Sequence, residues 1–112
     1  MRPSSKQRLY DIRQATSIIQ QFVAGRSLDD YRADVGLRSI VERQFITIGE
    51  ALARIVRDDP QTADQLPDHR RIIGFRNVLV HGYDAIRDEL VWEVVETHLP
   101  HFVSIIEEML ER

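Results

Sequence analysis

Apolar residues recur at helical spacing along most of the chain. In residues 5–24, Leu9, Ile12, Thr16, Ile19 and Val23 follow at intervals of 3, 4, 3 and 4, one stripe on one helical face. Gly25 ends that helix, since a residue without Cβ takes the left-handed cap. Ser27-Leu28-Asp29-Asp30 carries an N-cap pattern for a short turn. A long helix is predicted over 34–58, where Leu37, Val41, Phe45, Ile48, Leu52 and Ile55 are spaced 4, 4, 3, 4 and 3. Gly49 sits on the flank of that stripe. A glycine inside a helix costs about 1 kcal/mol against alanine, so it implies close approach by another helix. Asp58-Asp59-Pro60 breaks the pattern, and residues 60–67 read as a linker. A third helix is predicted over 68–82, stopped by Gly82, and a last one over 88–110. Pro100 lies inside the last, where a kink or a junction of two helices near Leu99 is expected. There is no strand pattern or repeat. The expected fold is all-α, a single domain over 1–112 built as an up-and-down four-helix bundle with a kinked C-terminal helix. Ile19, Phe45, Ile48, Leu52, Leu79 and Val94 are expected in its core.

Composition narrows the function classes. The 112 residues are 43% hydrophobic and 29% charged, as in an ordinary globule. No apolar run approaches the ~20 residues of a membrane span, and no apolar signal core follows the N-terminus, so a cytoplasmic protein is expected. Cysteine is absent, which excludes disulfides, thiolate metal sites and a cysteine nucleophile. A net charge of −3 excludes a bulk-basic nucleic-acid binder. The charge is segregated, however. Residues 69–87 set Arg70, Arg71, Arg76 and Arg87 against Asp84 alone, whereas residues 88–112 set seven acids against Arg112. Of 15 basic residues 14 are arginine, whose planar fork matches phosphate.

The chemistry concentrates in residues 72–84, where an arginine, an asparagine, a histidine and a tyrosine stand among apolar residues. Asn77 and His81 are four apart and share a helical face, so Asn77 is placed to bond the imidazole. Arg76 and His81 are five apart, about 140° around a straight helix. They converge only if the arginine reaches round, if the helix unwinds near Gly82, or if a second protomer supplies the other half. His98 and His101, with Glu93 and Glu96, have poor metal-ligand spacing around the proline, and no metal or other cofactor is expected. His69 reads as a surface residue, and Trp92 as an anchor in the core or a dimer interface.

Arg76-Asn77, three apolar residues and His81-Gly82-Tyr83-Asp84 resemble the signature of the HEPN superfamily, and more narrowly the HepT-like toxins of toxin–antitoxin systems. The stretch from Val41 to Ala51, with Ile48-Gly49-Glu50-Ala51, resembles a second block of that family, and Val91 to Pro100 a third. The resemblance implies a metal-independent endoribonuclease, homodimeric, with RNA as substrate. It also implies a partner, a small nucleotidyltransferase antitoxin that transfers AMP from ATP onto the motif tyrosine. Carried over, the catalytic pair is Arg76 and His81, Asn77 is the supporting polar residue, and Tyr83 is the modified position.

The residue types suit that chemistry. RNA carries its own nucleophile, the 2′-hydroxyl. A histidine near neutrality serves as base or acid, and an arginine stabilises the charge that develops on the phosphorus oxygens. Arg70 and Arg71 are candidates for flanking phosphates. The same fold also serves non-catalytic modules that bind nucleotide or dock a nucleotidyltransferase, and those have no need of Arg76, Asn77 and His81 together.

Overall fold

The computed structural model describes residues 1–82 and 86–112. Within them all the regular structure is helix, with no strand. Helix α1 (Pro3–Val23) opens on a proline, whose missing amide hydrogen has no helical partner to lose at that position. Gly25, at φ 73°, turns the chain out of it in the expected left-handed conformation. The predicted short turn is a helix of its own, α2 (Leu28–Ala33). It starts on a reciprocal cap: the Asp30 amide donates to Ser27 Oγ at 3.1 Å, and the Ser27 amide donates to Asp30 Oδ2 at 2.9 Å.

Helix α3 (Val35–Asp58) is the long predicted one, capped by Asp34, whose carboxylate accepts from the Leu37 amide. The expected linker after it holds one further turn of helix, α4 (Pro60–Ala63). Sequence periodicity cannot detect so short an element. Helix α5 (His69–His81) follows, and its first turn is entered through Asp68 at φ 59°.

The C-terminal region is α6 (Asp88–Glu93), a π-helical stretch Val94–His98 and α7 (Leu99–Glu111). The expected disturbance at Pro100 is thus absorbed just before it. The Leu99 amide bonds the Val94 carbonyl, five residues back, and this wider turn lies where the proline ring would crowd the preceding carbonyl. The widened turn also corrects one core expectation. Val91, Val95 and Leu99 keep intervals of four into the core, so Val95 is buried and Val94 only half-buried. Ile19, Phe45, Ile48, Leu52 and Leu79 are buried as expected.

Helix α3 is the centre of the packing. It lies against α1 on one side and α5 on the other, and α1 in turn meets α7. Tyr31 of α2 is completely buried and packs on Trp92 of α6, with ring centroids 5.5 Å apart, so the tryptophan is a core anchor. Helix α5 is the least embedded of the long helices, and Leu79 is its single fully buried side chain. No helix among the described residues is long and apolar enough to cross a membrane.

One carboxylate fastens the start of α1 to the α3–α4 junction. Asp59, 9% exposed, accepts from the hydroxyls of Thr62 (2.6 Å) and Ser5 (2.8 Å) and from the Arg2 amide (3.2 Å). These bonds, Thr62 first and Ser5 second, hold its carboxyl well below the usual carboxylate range. A depressed folded-state pKa stabilises the fold above the unfolded value of about 4 and loses that effect as pH falls below it. Asp59→Asn is therefore expected to lower stability at pH 7 and to flatten the acid side of the stability curve. Urea denaturation between about pH 2 and 7 measures both; parallel curves for the two proteins would contradict the assignment.

Candidate active site

The predicted motif lies along α5 and its end. Arg76 leaves the helix where α5 crosses α3 at Gly49. A Cβ built on Gly49 would stand 2.2 Å from Arg76 Cβ and 2.6 Å from Arg76 Cγ. The glycine inside the long helix thus marks a close helix approach, and the visitor that requires it is the arginine stem. Beyond the stem, Arg76 Nη1 donates to Asn77 Oδ1 at 2.8 Å, and Nη2 donates to Glu50 Oε1 at 3.4 Å. Arg76 Nε is buried and has no hydrogen-bond partner among the described residues. The Arg76 side chain remains 26% exposed and that of Glu50 43%, so an anion can reach the guanidinium.

Asn77 therefore does not do what the four-residue spacing suggested. Its carbonyl oxygen is taken by Arg76, and among the described residues no hydrogen bond joins it to His81. His81 is the last residue of α5 and is exposed. The helix stays regular to that point, and the Gly82 amide closes it on the Val78 carbonyl at 2.8 Å. Unwinding therefore does not bring His81 to Arg76, and among the described residues no hydrogen bond links the two. Tyr83 lies outside the described residues. Arg70 and Arg71 are exposed and make no ion pair among the described residues.

Two concave surfaces flank these residues. A cleft of about 270 Å³ separates α5 from α6 and α7, with Ile72, Phe75, Val78, Leu90, Val94 and Phe102 on its walls and Arg71, His98 and His101 beside them. Phe75 also meets Phe45 of α3 edge-on, with ring centroids 5.2 Å apart. The other surface is a polar groove between α1 and α3, lined by Arg8, Gln14, Gln44, Glu50 and Arg54 among others. Glu50 joins that groove to Arg76. The sequence signalled a helix contact at Gly49 but not its partner, and Glu50 had no signal beyond its place in the Ile-Gly-Glu-Ala block.

A family model described as "Ribonuclease HepT-like" matches residues 12–109. A Thermococcus cleftensis protein named as a probable ribonuclease HepT is 27% identical over 109 residues, covering 97% of this chain and 98% of that protein. A Methanocaldococcus jannaschii protein named as a candidate RNase is 28% identical over 103 residues, 92% of this chain and 84% of its own length. A Caldanaerobacter subterraneus protein, likewise named as a candidate RNase, is 25% identical over 104 residues, with 93% and 92% covered. No solved structure matches the chain.

The contact at Gly49 makes a prediction whose sign is diagnostic. Alanine favours a helix interior over glycine by about 1 kcal/mol. Gly49→Ala should nevertheless lose about 1–3 kcal/mol of stability, because the added methyl overlaps the Arg76 stem. Thermal denaturation decides it, and an unchanged or higher Tm would show that α5 does not pack on α3 this closely.

Proposed function

Because the chain belongs to the HepT-like ribonuclease family, we propose that it is a metal-independent endoribonuclease toxin of a toxin–antitoxin system, with Arg76 and His81 as its catalytic pair. The observation that carries the reading is Arg76 itself: an arginine with its stem locked at a helix crossing and its guanidinium partly open to solvent. In this reading an RNA 2′-hydroxyl gives its proton to the base and attacks the adjacent phosphorus. The 5′-oxygen leaves with a proton supplied by the acid. His81 performs one of these transfers. Arg76 faces the non-bridging oxygens, which gain charge in the transition state. Asn77 supports the arginine, and Arg70 and Arg71 hold neighbouring phosphates.

The apolar cleft beside α5 supports a homodimer. Leu90, on its wall, is 41% exposed in the single chain, and Phe75 and Val78 on the same cleft are only half-buried. Two copies related by a two-fold axis would bury these surfaces and set two arginines and two histidines around one groove. That arrangement also resolves the five-residue separation of Arg76 and His81, since each chain would complete the other's site.

Regulation in this reading acts at Tyr83. A nucleotidyltransferase antitoxin joins the AMP phosphorus of ATP to the Tyr83 phenolic oxygen, and pyrophosphate leaves. The attached phosphodiester is an anion two residues from His81, and it competes with RNA for the arginine by charge and volume.

Arg76→Ala and His81→Ala should each reduce cleavage of an RNA oligonucleotide by at least about 10²–10³-fold. Wild-type cleavage should continue in EDTA and stop when the 2′-hydroxyl at the cut is replaced by hydrogen. Strict dependence on a divalent ion for the chemical step would refute the mechanism. Tyr83→Phe should remain toxic in cells yet escape a co-expressed nucleotidyltransferase. Full neutralisation of that variant would mean that the partner inhibits by docking alone.

A further inference from the structure

Resting on the ribonuclease reading, we propose that Glu50 is a positioning residue that aims the Arg76 guanidinium at the substrate phosphate. Gly49 determines where the arginine stem runs, because Arg76 Cβ and Cγ occupy the space a Cβ would need and Cδ passes at 3.5 Å. Those contacts leave the torsions beyond Cδ free. A guanidinium free to swing presents its fork in many directions, and an arginine matches a phosphate only when its plane is set. Two acceptors set it here. Asn77 takes one terminal nitrogen and Glu50 the other, so the plane is held from both sides.

The length of the Glu50 contact is informative. Charge-assisted hydrogen bonds of this type run at about 2.7–2.9 Å, often through both carboxylate oxygens. Glu50 engages through a single oxygen at 3.4 Å. An arginine captured in a bidentate pair would be neutralised and lost to the substrate. A loose contact through one oxygen orients the guanidinium and leaves hydrogens on both terminal nitrogens for a phosphate. The carboxylate has a cost as well, because it is an anion on the wall of the groove beside Arg76 and would repel an anionic substrate bound there. Glu50 therefore acts on turnover and not on affinity, and removing its charge should leave RNA binding intact or tighter.

Steady-state cleavage of one RNA oligonucleotide by wild type, Glu50→Gln, Glu50→Ala and Arg76→Ala tests this. Glu50→Ala should lower kcat about 10–100-fold, the effect of a displaced reacting group, with KM unchanged or reduced. Glu50→Gln keeps a carbonyl acceptor of the same reach and should recover part of that loss. Both should keep Tm within a few degrees of wild type, since a half-exposed pair adds little to stability. A Glu50→Ala enzyme within twofold of wild-type kcat, with Arg76→Ala inactive, overturns the role of Glu50 and leaves the ribonuclease reading standing. A raised KM at unchanged kcat also overturns it, by making Glu50 a binding residue. An Arg76→Ala enzyme as active as wild type overturns the ribonuclease reading, and the inference with it.

Discussion

The crossing of α5 over α3 at Gly49 is the constraint on which the candidate site depends. Helix α5 carries Arg76, Asn77 and His81, yet Leu79 is its one buried side chain. Its main contact is with α3, where the Arg76 stem lies in the space a Cβ of residue 49 would need. One missing side chain thus does two things. It lets two helix backbones approach, and it delivers an arginine to the protein surface with its first carbons immobile. The helix-propensity penalty of an internal glycine is about 1 kcal/mol, a modest cost for fixing a charged group that would otherwise sample many rotamers.

The two sides of α5 have different characters. Toward α3 it is polar where it reaches the surface, with Arg76, Asn77 and Glu50 in one connected set. Toward α6 and α7 it opens on an apolar cleft with Phe75 and Phe102 on its walls. A polyanion is recognised by the first kind of surface and a protein partner by the second. The exposed His81 terminates the helix that separates them. This division fits the proposed dimer, in which the apolar side would meet the second copy and the two copies would bring Arg76 and His81 together beside the helix end.

The pattern of apolar residues made the long helices legible, because α1 and α3 each bury a stripe at intervals of three and four, from Leu9 to Ile19 and from Leu37 to Ile55. It could not show α4, a single turn with no stripe, nor the π-helical stretch before Pro100. That stretch moved the core position from Val94 to Val95, since a widened turn shifts the register that a 3.6-residue period assumes. In the site, Gly49 announced a close contact but contacts between distant segments have no period, so Arg76 as its partner was not readable. The same holds for Glu50, 26 residues from the arginine it bonds. The Asn77–His81 bond that the spacing allowed is not made: spacing shows which groups can meet, and the Asn77 carbonyl meets the arginine beside it.

In the proposed reaction Arg76 and His81 cut RNA by activating the strand's own 2′-hydroxyl. The ends of the product record which atom attacked. A single RNA oligonucleotide cleaved by the purified protein, with its fragments weighed by mass spectrometry, reads them directly. Attack by the 2′-oxygen would leave a 2′,3′-cyclic phosphate, or the monophosphate it hydrolyses to, on the upstream fragment and a free 5′-hydroxyl on the downstream one. A 3′-hydroxyl upstream and a 5′-phosphate downstream would mean that water, not the 2′-oxygen, was the nucleophile, and would rule this reaction out.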